Sequence, residues 1–218
     1  MRTITGLKAQ EKNAQRINVY LDGVFAFGLS RIVAAWLQIG QQLTDEKIAQ
    51  LQAEDAVESA YQRTLHFLSI RPRSGKEIVQ YLKKIGLNPD VQERVIERLK
   101  AHGWINDQYF ASQWVENRSA FHPLSRKALR IELTQKGIEQ DLIDRTILNV
   151  DEDLSAYQAA QKWLYRLRDL PYIQFQRKLY PYLARRGFSH DVIENTIQRL
   201  WTETQTEKQN PEEIEVSK

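Results

Sequence analysis

The stretch "YLARRGFSHDVIENTIQRL", Tyr182 to Leu200, decides how this chain folds. Two arginines run into a glycine, and an aromatic residue, a serine and a helical run opening on aspartate follow. Glycine after a helix-forming run is a stop, because it takes the left-handed conformation at C′ without a steric penalty. Arg185 and Arg186 stand where the negative end of the helix dipole favours cations. Ser189 is placed to cap the next helix, and Asp191 falls in its first turn, where a carboxylate meets free backbone amides. The segment therefore predicts two helices joined at Gly187.

Two further copies precede it, "IVQYLKKIGLNPDVQERVIERL" and "LRIELTQKGIEQDLIDRTILNV", and the glycines Gly86, Gly137 and Gly187 recur every 50 to 51 residues. Four residues before each glycine stands Leu82, Leu133 or Leu183, and ten before stands a base, Lys76, Lys127 or Arg177. One after is apolar (Leu87, Ile138, Phe188), four after is Asp90, Asp141 or Asp191, and seven after is Glu93, Asp144 or Glu194. Apolar residues return ten and thirteen after, at Ile96 and Leu99, Ile147 and Val150, Ile197 and Leu200. Agreement at so many offsets marks a repeat.

Another helical segment lies upstream of each copy: "AVESAYQRTLHFLSI", "DQYFASQWVENRSAF" and "SAYQAAQKWLYRLRD". Pro72, Pro123 and Pro171 punctuate the turn that follows, with about two extra residues in the third copy. Ser74 with Glu77 forms a capping box, Ser125 caps the equivalent helix, and Asn88 with Pro89 opens the next. Each repeat is thus three helices.

The first thirty residues read differently. Ile17, Val19 and Leu21 alternate with polar or aromatic neighbours, and Asp22-Gly23 is a two-residue hairpin signal. With "TITGLK" they predict an antiparallel meander of two or three strands, followed by a helix over "SRIVAAWLQI" that ends at Gly40. Thr44 then opens a long helical stretch toward Ile70. The expected division is a β extension with a short helix at 1–43, three-helix units at 44–105, 106–150 and 151–202, and an acidic, disordered tail at 203–218. The fold class is mainly α, with an N-terminal β meander.

Composition bounds function. No apolar run approaches the roughly 20 residues of a membrane helix, and the N-terminus lacks the apolar core of a signal peptide. The chain has no cysteine, so it has neither disulfides nor thiolate chemistry and suits a reducing cytoplasm. There is no phosphate-binding glycine loop, and His66, His102, His122 and His190 lack metal-ligand spacing. The acids Asp151, Glu152 and Asp153 read as a helix start. Neither a catalytic site nor a cofactor is expected.

The net charge of +3 is unevenly spread. The tail holds Glu203, Glu207, Glu212, Glu213 and Glu215 against Lys208 and Lys218, which is −3 and leaves +6 for residues 1–202. Bases concentrate around the second helix of each repeat. They are Arg71, Arg73, Lys76, Lys83 and Lys84 in the first. The second has Arg118, Arg126, Lys127, Arg130 and Lys136, and the third has Arg177, Lys178, Arg185 and Arg186. Capping one helix end needs one or two of these; the surplus predicts a basic stripe that meets phosphates without reading sequence. Arg185 and Arg186 are both expected on the surface. Trp104, Tyr109, Phe110, Trp114, Trp163, Tyr165, Tyr180 and Tyr182 recur at helical spacings, most as core and a few open to base stacking.

The runs "RPRSGKEIVQYL", "GWINDQYFASQWVENR", "RIELTQKGI" and "LARRGFSHDVI", in that order, resemble the RecX family of regulators of the bacterial recombinase RecA. The resemblance covers Ala56 to Trp201, and the N-terminal hairpin is similar to an extension some members carry. It implies tandem three-helix repeats in an elongated, curved monomer lying in the groove of the RecA filament on single-stranded DNA. It further implies inhibition of ATP hydrolysis, strand exchange and the co-protease activity that triggers the SOS response. Ile85, Leu124 and Ser125 depart from the residues common at those places, and the acidic tail lies outside the shared pattern. A stand-alone binder of single- or double-stranded DNA and a protein-gripping helical scaffold stay open as other readings of the residues.

Overall fold

The computed structural model describes residues 1–209. The chain divides into two units, Met1–Asn106 and Asp107–Lys218.

The first unit opens with strands β1 (Arg2–Gln10), β2 (Asn13–Leu21) and β3 (Val24–Ser30). Asp22 and Gly23, with φ of 50° and 88°, make the two-residue turn between β2 and β3 as their types require. Ile4, Val19, Leu21, Phe27 and Leu29 alternate onto one face and are buried. The helix expected over "SRIVAAWLQI" stops after a single turn, α1 (Arg31–Ala34). Ile32, Trp36 and Ile39 are 61%, 88% and 68% exposed, so no core rewards extending it. Instead the chain turns through Gly40, which donates to the Ile4 carbonyl (2.8 Å), and Ile4 donates to the Gln41 carbonyl (2.9 Å). That return creates a strand the sequence pattern did not announce, β4 (Gln42–Leu43), and the antiparallel sheet runs β3-β2-β1-β4.

Thr44 caps α2 (Asp45–Ile70), accepting from the Lys47 amide. This helix serves two cores. Leu51 and Ile48 close the sheet's apolar face, whereas Val57, Ala60 and Tyr61 belong to a second cluster with α3 (Gly75–Lys84) and α4 (Pro89–Ala101). Buried Asp55 ties helix to sheet: it accepts from the Ser30 amide and pairs with Arg16 at 2.9 Å. Arg98 of α4 pairs with buried Glu58 and lies 4.0 Å from the Tyr61 ring centroid.

The second unit holds two more three-helix groups. These are α5 (Asp107–Phe121), α6 (Arg126–Gln135) and α7 (Gln140–Ile147), then α8 (Glu152–Leu167), α9 (Tyr172–Ala184) and α10 (His190–Gln209). The repeat positions serve the same purposes in all three groups. Leu82, Leu133 and Leu183 are fully buried, as are Leu99 and Leu200, and each such side chain contributes roughly 1.5–3 kcal/mol by leaving water. The capping box at Ser74 is present, and Ser125 and Asn88 cap as their positions require. Asp151 caps α8. Helix α10 continues past Glu203, where the tail was expected to begin. Glu203 accepts from the Tyr157 hydroxyl (2.8 Å) and pairs with Arg199 one turn earlier, while Thr204 is buried. The last part of the expected tail, 210–218, lies outside the described residues.

Gly86, Gly137 and Gly187 have φ of 72°, 81° and 85°, the left-handed joint the repeat implied. At Gly187 packing adds to the backbone requirement. A Cβ there would lie 2.5 Å from Ser125 Oγ and 3.1 Å from Ala128 Cβ, whereas nothing lies within 4 Å of one at Gly86. Gly86→Ala is expected to cost about 1–2 kcal/mol through the left-handed backbone alone. Gly187→Ala is expected to cost clearly more, and urea denaturation of both variants measures the difference.

Candidate nucleic-acid interface

The bases singled out from the sequence fall into two physical classes. In one, the side chain is used inside the fold. Arg71 forms a fork on Glu77 (2.9 and 3.1 Å) and donates to the Pro72 carbonyl, bracing the turn between α2 and α3. Arg73 lies 3.9 Å from the Phe67 ring centroid, with Nε buried and unbonded. Burial, then the neighbouring Arg71 charge, lowers its pKa from the usual guanidinium range. Arg118 pairs with Glu132 (2.7 Å) and stacks 4.6 Å from the Trp114 centroid; the Trp114 indole N–H donates to the same carboxylate. Arg126 donates through Nε to the Val150 carbonyl (2.8 Å), and Arg130 pairs with Asp144 of α7.

The position immediately before each glycine belongs to this class as well. Ile85, Lys136 and Arg186 are all half-buried. Ile85 packs on the core shared by α2, α3 and α4, Lys136 Nζ stands 4.8 Å from the Trp114 centroid, and Arg186 stands 4.2 Å from Tyr182. The expectation that Arg186 is exposed is therefore corrected: its stem is covered, its Nε is buried, and its charge faces an aromatic ring.

In the second class the side chain faces solvent. Lys76, Lys127 and Arg177 are exposed at equivalent places in α3, α6 and α9, and so are Lys83, Lys84, Lys178 and Arg185. One turn after Lys76, Lys127 and Arg177, on the same faces, lie Gln80, Ile131 and Pro181, also exposed. Each second helix thus presents an uncharged centre with at least one cation beside it: of these bases only Lys127 on α6, and several on α3 and α9. Lys178 and Arg185 share one stripe of α9 at a spacing of seven residues.

In the second unit the fold brings two of these helices end to end. The Ser125 amide at the start of α6 donates to the Arg186 carbonyl at the end of α9 (3.1 Å). Ser125 Oγ meanwhile accepts from the Ala128 amide (3.1 Å), and Glu152 accepts from the Arg126 amide (2.8 Å). Donors and carbonyls that helix ends leave unpaired are matched to one another here. The same joint sets Lys127 and Arg185, far apart in sequence, on adjoining helix ends. Sequence reasoning identified both bases but not their adjacency, because the repeat period carries no information about which helix end meets which.

Of the aromatics, Phe110 and Tyr182 are buried, and Trp163 packs 4.7 Å from Tyr182. Trp104, Tyr109 and Tyr165 are 52%, 55% and 65% exposed. Among the described residues no cluster of three or more His, Asp or Glu is arranged to hold a metal ion, and no helix is long and apolar enough to cross a membrane.

Four family models match the chain: the regulatory protein RecX N-terminal domain over residues 2–44, and the first, second and third RecX three-helix domains over 60–99, 106–147 and 151–197. Among curated relatives, the regulatory protein RecX of Bacillus subtilis (strain 168) is 33% identical over 205 residues, 92% of this chain and 78% of that one. That of Bacillus pumilus (strain SAFR-032) is 30% identical over 214 residues, 96% of this chain and 81% of the relative. A crystal structure of regulatory protein RecX superposes with a TM-score of 0.71 at 29% identity, covering 89% of this chain and 98% of that one. The crystal structure of RecX from Lactobacillus salivarius gives 0.58 at 25% identity, with 67% and 97% covered.

Two arginines that are adjacent in sequence are expected to behave differently. Arg185→Ala leaves the melting temperature nearly unchanged, as surface substitutions do. Arg186→Ala lowers stability by about 1 kcal/mol, because the cation–ring interaction and the packing of the stem both go. Thermal melts of the two single variants separate the roles.

Proposed function

The chain belongs to the RecX family of regulatory proteins, which are modulators of RecA and not enzymes, and from that membership we propose that it binds the RecA filament on single-stranded DNA and inhibits its activities. Those activities are ATP hydrolysis, strand exchange and the co-protease reaction. The proposed site of action is the cytoplasm, and the proposed acting form is a monomer.

One observation carries the proposal: the exposed face of every second helix sets one or more solvent-facing cations beside an uncharged centre. Lys83, Lys84, Lys127, Arg177, Lys178 and Arg185 are suited to phosphate, since charge on phosphate positions a protein without specifying sequence. Gln80, Ile131 and Pro181 between them suit contact with protein, where interface centres are depleted of charge. A surface of both kinds fits a filament in which recombinase and DNA lie side by side. The bases committed to Glu77, Glu132 and Asp144 contribute to the interface indirectly, by holding the helices that present the others.

Bridging neighbouring recombinase subunits would let few molecules affect many. Titrating this protein into RecA preassembled on single-stranded DNA is expected to inhibit ATP hydrolysis well below one molecule per recombinase subunit. Inhibition only at DNA-saturating amounts would leave a general DNA binder. Replacing Lys127, Arg177, Lys178 and Arg185 together by Ala is expected to weaken filament binding by about tenfold or more near 0.1 M salt. It should also flatten the salt dependence by about 0.7 in the log–log slope for each phosphate that is no longer neutralised. Unchanged salt dependence would remove these four residues from the interface.

A further inference from the structure

The sheet of the first unit has a second face, opposite the one that packs on α1 and α2. Alternation sends Lys8, Asn18 and Tyr20 to it. Pairing sets Tyr20 between Gly6 and Phe25, and Asn18 between Lys8 and Gly28. The Tyr20 and Phe25 rings meet edge to face with centroids 6.0 Å apart, and Lys8 Nζ stands 5.5 Å from the Tyr20 centroid.

Phe25 reaches this face through a register shift. Phe27 pairs with Val19, and an unbroken ladder would put Ala26 opposite Tyr20 and Phe25 opposite buried Leu21, on the core side. A bulge at Ala26 pairs Phe25 with Tyr20 instead, and Phe25 is left 57% exposed beside Val24 at 68%. A large apolar ring has been turned out of the core. Around it the face is polar: Gln10 Nε2 donates to Asn18 Oδ1 (2.8 Å), and a side chain at Gly28 would press on that amide at 3.0 Å. Lys8, Gln10, Lys12, Asn18, Tyr20 and Phe25 line one shallow concavity, with Glu11 the acid among its walls.

We propose that this face is a second nucleic-acid surface, on which bases of single-stranded DNA stack against Tyr20 and Phe25. Phe25 is exposed and Tyr20 half-buried beside it, and aromatic rings on an open sheet offer a π face to any base. Lys8 and Lys12 stand at phosphate reach, and the Gln10–Asn18 amide pair offers donors and acceptors to base edges. A protein partner of ordinary kind would want a broad apolar centre; here one aromatic pair is ringed by amides and lysines. Only the choice of DNA over RNA rests on the filament reading.

The test uses the full chain without recombinase. An oligo(dT) strand carrying 5-iodo-deoxyuridine is photo-crosslinked and the attachment sites are mapped by mass spectrometry. Binding of oligo(dT) and of an abasic strand of equal length is followed by fluorescence anisotropy. Crosslinks are expected at Tyr20 or Phe25. Phe25→Ala is expected to weaken oligo(dT) binding about fivefold or more, leave abasic binding unchanged, and be rescued by Phe25→Trp. Lys8→Gln, on an exposed side chain, supplies a second variant with the same direction of effect should Phe25→Ala lose the native circular dichroism spectrum. Crosslinks confined to the three-helix units, or equal affinity of wild type and both variants for oligo(dT), overturn the proposal. In a separate titration of RecA ATP hydrolysis, loss of inhibition by variants whose oligo(dT) affinity is intact also overturns it, and makes the face a protein-binding one.

Discussion

A glycine held in the left-handed conformation between the second and third helix is the constraint on which each three-helix unit depends. It ends one helix, lets the chain reverse within four or five residues and brings buried apolar side chains from both helices together. Without it the apolar residues before and after the joint would lie along one continuing helix, with no facing surface. At Gly187 the same constraint extends beyond the turn. The close approach of Ser125, which no side chain at 187 would permit, is what allows the α6 amide to reach the α9 carbonyl. Two helix ends then pair their unsatisfied groups with each other rather than with water.

The distribution of charge follows from this scaffold. Arginine dominates the places where a base is held inside the fold, because its planar guanidinium can stack on a ring and fork a carboxylate at once. Arg118 stacks on Trp114 while bonding Glu132 through Nε, Arg71 forks Glu77, and Arg73 and Arg186 use ring faces. The exposed places hold lysine more often, as at Lys83, Lys84, Lys127 and Lys178, where a hydrated ammonium on a long stem can swing to find a phosphate. A plain tally of bases merges these two populations. The carboxylates tell them apart, since Glu77, Glu132 and Asp144 each mark a neighbour that is already engaged.

The N-terminal sheet is joined to the first three-helix unit by one continuous helix, α2, which supplies Leu51 to one core and Val57, Ala60 and Tyr61 to the next. The Asp55 carboxylate, held by Arg16 and the Ser30 amide, fixes the helix to the end of β3. A rigid connection of this kind carries a surface on the sheet in a constant orientation to the helices that follow within the unit.

The sequence by itself determined what depends on neighbours along the chain. The helix ends at the repeat joints, the Ser74 and Ser125 caps, the left-handed glycines, the Asp22-Gly23 turn and the buried positions of each repeat all follow from local backbone energetics and from helical or strand periodicity. These act over a few residues and leave a readable pattern. Tertiary structure alone decided the rest. The one-turn α1 and the strand β4 arise because Gly40 and Gln41 bond to Ile4, a partner more than thirty residues away. The continuation of α10 through Thr204 rests on a contact with Tyr157. Arg186 is half-buried at the joint where the Ser125 amide, some sixty residues earlier, bonds its carbonyl, whereas Arg185, one residue before it, points to solvent. Which bases face solvent, and which helix ends stand side by side, are set by packing between segments distant in the chain, and no pattern along the sequence records them.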